Sequence, residues 1–172
     1  MALHSTEILL AEHRQVEAVL SQLETVVDRF LTSPQVSDES QKDLKGIVKF
    51  LASDLALHIR KEDEGLFPKL QRFFPPGMGP LAVMDMEHRE AEKALRGLTA
   101  GARRLTAEPA SNGAAAAQVR DCGRGLIGVL RSHLMKEEQV LFPMAAANLT
   151  AADDAEVVKK FEAISSSPVQ TT

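Results

Sequence analysis

No tryptophan or tyrosine occurs in the 172 residues, and cysteine appears once, at Cys122. A single thiol excludes an internal disulfide and any CxxC redox or zinc motif, so a bound metal has to be held by imidazole and carboxylate. With aromatics at 4% and only 8 prolines beside abundant Ala, Leu, Glu, Lys and Arg, the composition favours helix over sheet. Basic charge is not in excess: 20 Lys and Arg face 24 Asp and Glu, interspersed, for a net charge of −4. That leaves no electrostatic footprint for nucleic acid. No apolar run is long enough to span a bilayer, and Met-Ala-Leu-His-Ser-Thr-Glu lacks a basic stretch followed by an apolar one. The expectation is a soluble, cytoplasmic protein without membrane or nucleic-acid partners.

What the chain does contain is helical periodicity. Leu9, His13, Val16, Leu20, Leu23 and Val27 recur at three- and four-residue steps after Ser5 or Thr6, up to Thr32-Ser33-Pro34. A second segment starts near Ser37 and runs through Leu44, Ile47, Leu51, Leu55, His58 and Glu62 towards Pro75-Pro76-Gly77. A third runs from about Pro80 through Met84, His88, Leu95, Leu98 and Leu105. The fourth opens on an alanine tract and carries Val119, Leu126, Leu130, His133, Glu137 and Val140. Thr150 and Asp153 mark a short fifth helix through a capping box. The expected architecture is all-α: an antiparallel up-down-up-down four-helix bundle with a short C-terminal helix, one domain over 1–164 and a disordered tail over 165–172. Phe67-Pro68 and Phe142-Pro143 are expected to end or kink their helices.

The chain also says one thing twice, 75 residues apart. Glu12, His13, Arg14, Glu17, Leu20 and Leu23 return as Glu87, His88, Arg89, Glu92, Leu95 and Leu98; His58-Ile-Arg-Lys-Glu62 returns as His133-Leu-Met-Lys-Glu137. Within each copy, 45 residues separate the first histidine from the second. At about 100° per residue a four-residue step comes back to nearly the same direction, so each His-x3-Glu pair shares a helix face. That face also carries Leu51 and Leu55 in one copy and Leu126 and Leu130 in the other. His13, His58, Glu62, His88, His133 and Glu137 are therefore expected to converge inside the bundle. Buried carboxylates need compensation, and cations supply it. Four imidazoles and two carboxylates without thiolate suit iron or manganese, and zinc also fits. If both glutamates bridge, each metal gains two His nitrogens and two carboxylate oxygens, with positions left for an oxo or hydroxo bridge and a small ligand. Which histidines share a metal stays open at this point.

Other residues have weaker claims. Glu17 and Glu92 stand one turn after His13 and His88, as additional ligands or as acceptors that orient histidines. Asp63 and Glu138 lie about 100° off the ligand face, in a solvated or orienting role. His4 reads as a surface residue and Met84 as core. Gly123, Gly125 and Gly128 beside Cys122 reflect either close helix packing or space for a ligand channel.

The doubled pattern of His followed at a distance by His-x3-Glu, with His-x2-Lys-Glu-[Asp/Glu]-x2-Leu-Phe-Pro in both copies, resembles the hemerythrin-like, or HHE, family of cation-binding bundles. The resemblance covers roughly residues 4 to 147. It implies a non-haem centre of two iron ions, oxo- or hydroxo-bridged, held by His13, His58, Glu62, His88, His133 and Glu137, that binds dioxygen or nitric oxide. Manganese or zinc ranks behind iron. Oxygen-carrying hemerythrins use a less symmetric ligand set with a His-x3-His pair, where this chain has His88-x3-Glu92. It is more similar to the symmetric HHE proteins, among them iron-centre repair proteins. The expected function is binding of a diatomic ligand or peroxide in sensing, storage or detoxification. The alternatives are an oxidoreductase turning over peroxide or nitric oxide, and iron-centre repair or iron donation. No flavin or nucleotide motif occurs, so electrons or signal readout require an external reductase or signalling partner.

Overall fold

The computed structural model describes residues 3–32, 37–75, 77–107 and 112–167, and these form five helical rods, with no strand among them. Helix α1 is His4–Thr32. Helix α2 is a continuous rod, α-helical over Asp38–Phe50, Ala56–Lys61 and Phe67–Gln71, with wider π-turns at Leu51–Leu55 and Glu62–Leu66. Helix α3 is Pro80–Ala107. Helix α4 is α-helical over Asn112–Lys136 and Phe142–Asn148 with a π-turn at Glu137–Leu141 between them. Helix α5 is Ala151–Ser166. It reaches two residues into the segment expected to be tail; 168–172 lie outside the described residues, as do 108–111 and 33–36 at the expected breaks.

The helix starts are explained by local chemistry. Ser37 caps α2 by accepting from the Ser40 N–H, and Thr150 and Asp153 cap α5 reciprocally, the predicted box. The first turn of α1 is capped from far along the chain: Asp154 on α5 accepts from the backbone N–H groups of His4 and Ser5 at 2.8 and 3.0 Å. A carboxylate at a helix N-terminus satisfies orphan donors and the helix dipole together.

Of the expectation that the two Phe-Pro pairs end or kink their helices, the ending needs correction. Both rods continue through Pro68 and Pro143. In each, the phenylalanine N–H reaches back five residues, Phe67 to the Glu62 carbonyl and Phe142 to that of Glu137. The widened turn ahead of the proline relieves the clash its ring would make one turn back.

Helix α3 packs along α4, α1 lies against both α2 and α4, and α2 meets α3; α5 covers α1 and α2. The apolar interior falls into two clusters. One holds Val16, Leu20, Leu51, Leu55, Ala91, Leu98, Leu126 and Leu130. The other holds Leu9, Leu66, Leu70, Met84, Leu141, Phe142 and, from α5, Val157 and Phe161. Every one of the four long rods crosses between the clusters at its histidine, so the polar side chains form a layer between two apolar ones.

The three glycines around Cys122 on α4 differ. A Cβ on Gly123 would stand 2.8 Å from Val27 Cγ2, so this glycine permits close approach of α1. Gly125 and Gly128 are exposed with nothing within 4 Å, and Cys122 is half-buried against Gly97 on α3. The close-packing reading holds for Gly123, and the channel reading has no support. Gly123→Ala should destabilise the fold by about 1–3 kcal/mol through overpacking. Gly128→Ala, in open helix, should stabilise it by up to about 1 kcal/mol. Urea unfolding of the two variants checks the opposite signs.

Candidate metal centre

At the layer between the apolar clusters the six predicted side chains converge. His13, His58, His88 and His133 are buried to within a few per cent, and Glu62 and Glu137 have no exposure at all. Glu62 lies between two histidine pairs. Its Oε1 is 3.1 Å from His58 Nε2 and 4.0 Å from His13 Nε2; its Oε2 is 3.3 Å from His88 Nε2 and 4.0 Å from His133 Nε2. Glu137 Oε2 lies 3.2 Å from His13 Nε2 and 3.5 Å from His133 Nε2. The rings pair within each copy of the repeat, His13 with His58 at 5.0 Å between centroids and His88 with His133 at 4.7 Å. Two donor groups result: His13, His58, Glu62 and Glu137, and Glu62, His88 and His133.

Every one of the four imidazoles turns Nδ1 outward onto a carboxylate. His58 pairs with Glu12 at 2.9 Å and His133 with Glu87 at 3.2 Å. Lys61 and Lys136 bind the other oxygen of those same glutamates. His13 pairs with Glu138 at 2.9 Å and His88 with Asp63 at 3.1 Å. A carboxylate that accepts from Nδ1–H fixes the tautomer, so Nε2 presents its lone pair to the interior. Phe142 stacks on His13 and Phe67 on His88, which limits rotation of the two rings not held by a lysine-fixed glutamate.

Some of these roles were readable and some were not. Asp63 and Glu138 take the orienting role, each reaching the first histidine of the opposite copy. Glu17 and Glu92 do neither of the things expected of them: Glu17 pairs with Arg131 and Glu92 with Arg96, both on the outside. His4 is exposed beside Glu7, and Met84 is core. Glu12, Glu87, Lys61 and Lys136 went unassigned, although all four repeat at the 75-residue interval that singled out the ligand set.

The donor set fits cations. His13 Nε2, His58 Nε2 and all four carboxylate oxygens of Glu62 and Glu137 are buried without a hydrogen-bond partner. His88 Nε2 and His133 Nε2 face each other at 3.1 Å, a separation that two lone pairs tolerate only with a proton or cation between them. Protons alone settle the layer unevenly. Burial opposes charge on every group. The charge of Glu62 and the bond to Glu12 nonetheless push His58 up to about 10, and the nearby carboxylates of Glu137 and Glu62 push His13 up to about 9. Asp63 and Glu62 push His88 up to about 10, while burial and the charge of His88 push His133 down to about 4. Burial and the charge of Glu62 push Glu137 up to about 8. Glu62, despite its burial, is held well below the usual carboxylate range by His58 and by the neighbouring imidazoles of His13 and His88.

On the His13 side the layer comes close to solvent through an open hollow of about 470 Å³, lined by His13, Arg14, Glu17, Met135, Glu138 and Gln139. Removing an orienting carboxylate lowers metal affinity by about 10–100-fold. Glu12→Ala should therefore weaken divalent-cation binding at His58 by that factor with helix content unchanged, as competition against a chelator would show.

Comparison with known proteins gives the same chemistry. A model of the hemerythrin HHE cation-binding domain matches residues 4–145. Among curated proteins, the iron-sulfur cluster repair protein YtfE of Escherichia coli O157:H7 is 34% identical over 107 residues, 60% of this chain and 48% of that protein. YtfE of Shigella boydii serotype 18 matches to the same extent. The chain thus matches about half the length of these relatives. No solved structure matches. Among the described residues no helix is long and apolar enough to cross a membrane.

Proposed function

The chain belongs to the hemerythrin HHE cation-binding family, and from that membership we propose that it is a non-haem di-iron protein taking up a small ligand in sensing, storage or detoxification. The ligand is dioxygen, nitric oxide or peroxide. The observation that carries the reading is the division of one buried carboxylate between two histidine pairs. In this reading His13 and His58 would hold one iron and His88 and His133 the other, with carboxylate oxygens supplied by Glu62, which belongs to both donor groups, and by Glu137. Imidazole and carboxylate without thiolate suit iron, with manganese or zinc behind it.

Bound iron supplies a redox couple and coordination positions beyond those filled by two imidazoles and two carboxylates. The protein's own residues do the rest. Glu12, Glu87, Asp63 and Glu138 keep the four Nε2 atoms aimed inward. The apolar clusters on either side, with Phe67 and Phe142 against the rings, shield the centre from bulk water. Electrons or signal readout come from an external reductase or a signalling partner. The same proposal takes the bundle as antiparallel up-down-up-down, supported by the alternating order in which successive rods pass between the two clusters. It also takes the helical region as one cytoplasmic domain, whose last helix runs two residues past the expected boundary at 164, to Ser166.

Iron-centre repair or iron donation is the second reading, favoured by the name of the curated relatives. An oxidoreductase acting on peroxide or nitric oxide is the third. The purified protein should carry two irons per chain, and His58→Ala or His133→Ala should each lose iron with the helices intact; full retention in either variant would refute the ligand assignment. Visible spectra of the reduced protein then separate the functions. A band that appears with dioxygen or nitric oxide and disappears on its removal supports ligand binding. Iron that passes instead to an apo iron-sulfur acceptor supports donation, and sustained consumption of peroxide or nitric oxide with a chemical reductant supports an enzyme.

A further inference from the structure

The duplicated ligands are symmetric, but their surroundings are not. His58 and His133 are anchored inside their own repeat by glutamates that lysines hold. His13 and His88 depend on Glu138 and Asp63, whose side chains are 45% and 48% exposed and have no second ion pair among the described contacts. These two histidines, on whose rings Phe142 and Phe67 stack, have the more exposed orienting partners.

Helix α5 then distinguishes them. It packs on the π-turn Glu62–Leu66 that carries Asp63. Phe161 sits so close to Gly65 that a Cβ there would be 2.6 Å from its ring, and Lys160 lies 3.8 Å from Glu64. At the same place in the second repeat, 75 residues on, Gly65 is replaced by Val140, which is 46% exposed. The π-turn Glu137–Leu141 is therefore open on the side that α5 covers in the first repeat. The carboxylate next to Glu137 is Glu138, and it lines the solvent-exposed hollow beside His13.

We propose that the two metal positions are kinetically inequivalent, and that the His13 end is the one through which metal enters and leaves, with Glu138 as the positioning residue that controls it. When Glu138 swings into the hollow, His13 loses its Nδ1 acceptor and turns away from the centre. Glu62 and Glu137 then hold that metal with His58 alone. The His88 end keeps its metal because Asp63 is carried on a turn that α5 braces. This inference rests on the two-metal reading, and it gives iron donation a route.

The test is to load the full chain anaerobically with two equivalents of Fe(II), verify the metal content, and follow its transfer to excess chelator by stopped flow. Wild type should release iron in two phases of equal amplitude. Glu138→Ala should speed only the fast phase, by about tenfold on the usual scale of orienting carboxylates. Asp63→Ala should speed only the slow one. Glu138→Gln, which retains an oxygen acceptor for Nδ1–H, should restore a rate near wild type and guards against a folding defect in the alanine variant. Phe161→Ala, by loosening the braced turn, should bring the slow phase towards the fast one. Two irons leaving in a single phase, or Asp63→Ala accelerating the fast phase, would overturn the proposal. Loading that stops short of two irons would instead strike at the two-metal reading.

Discussion

Two glutamates without solvent exposure lie at the centre of this bundle, and the arrangement around them answers the cost of putting them there. An ionised carboxylate removed from water costs several kcal/mol, of order, unless charge and hydrogen bonds compensate it. Among the described residues no backbone or side-chain hydroxyl donor reaches Glu62 or Glu137. Only imidazole nitrogens do, and these are themselves turned inward by a second set of carboxylates. Carboxylates and nitrogen groups thus alternate outward from the centre: glutamate, histidine, acid, and then lysine at Glu12 and Glu87. Such a layer does not pack by shape alone. It divides the hydrophobic core in two, and the apolar clusters on either side supply the stability that the layer does not.

Duplication explains how so many polar groups came to be satisfied together. A helical hairpin carrying one His, one His-x3-Glu pair and their orienting acids leaves half of its contacts unmade. Asp63 finds its histidine on the other hairpin, as does Glu138, and the phenylalanine one turn later in each stacks on the same ring. Two of the four histidines are thus fixed within a repeat and two across repeats. The centre cannot form in either half. Helix α5 has no counterpart in the repeat, and by capping α1 through Asp154 and bracing one π-turn it makes the two ends of a symmetric site different.

The sequence is most legible where periodicity and chemistry coincide. The six inward side chains could be named because a four-residue step puts His and Glu on one face and because the pattern recurs with identical spacing. The capping box at Thr150 was readable for the same reason, being local. What could not be read depends on distance in the chain. Glu12 and His58 are 46 residues apart and Asp154 and His4 are 150 apart, and nothing in local propensity joins them. Pro68 and Pro143 misled because proline is ordinarily a terminator; a π-turn before each absorbs its ring, and that turn has no signature apart from the proline itself. Glu17 and Glu92 misled because one turn along a helix is adjacency on the surface as readily as in the core. Arg131 sits where Glu17 can reach it from the outside.

The uneven distribution of protons bears on what the layer was built to hold. Glu62 and Glu137 are equivalent in sequence, yet without a cation they part in opposite directions, one held charged and the other pushed towards its neutral form. His88 and His133 part likewise, since two imidazoles 3.1 Å apart cannot both be charged and cannot both point lone pairs at each other. Protons therefore satisfy the layer only by breaking the symmetry that the ligands otherwise keep. A proton carries one charge to one atom, whereas a divalent cation accepts several lone pairs at once. Two such cations, as proposed, would let both glutamates stay ionised and all four imidazoles stay neutral, with every Nδ1–H still donated outward. That is the one charge state in which the two copies of the repeat do the same thing.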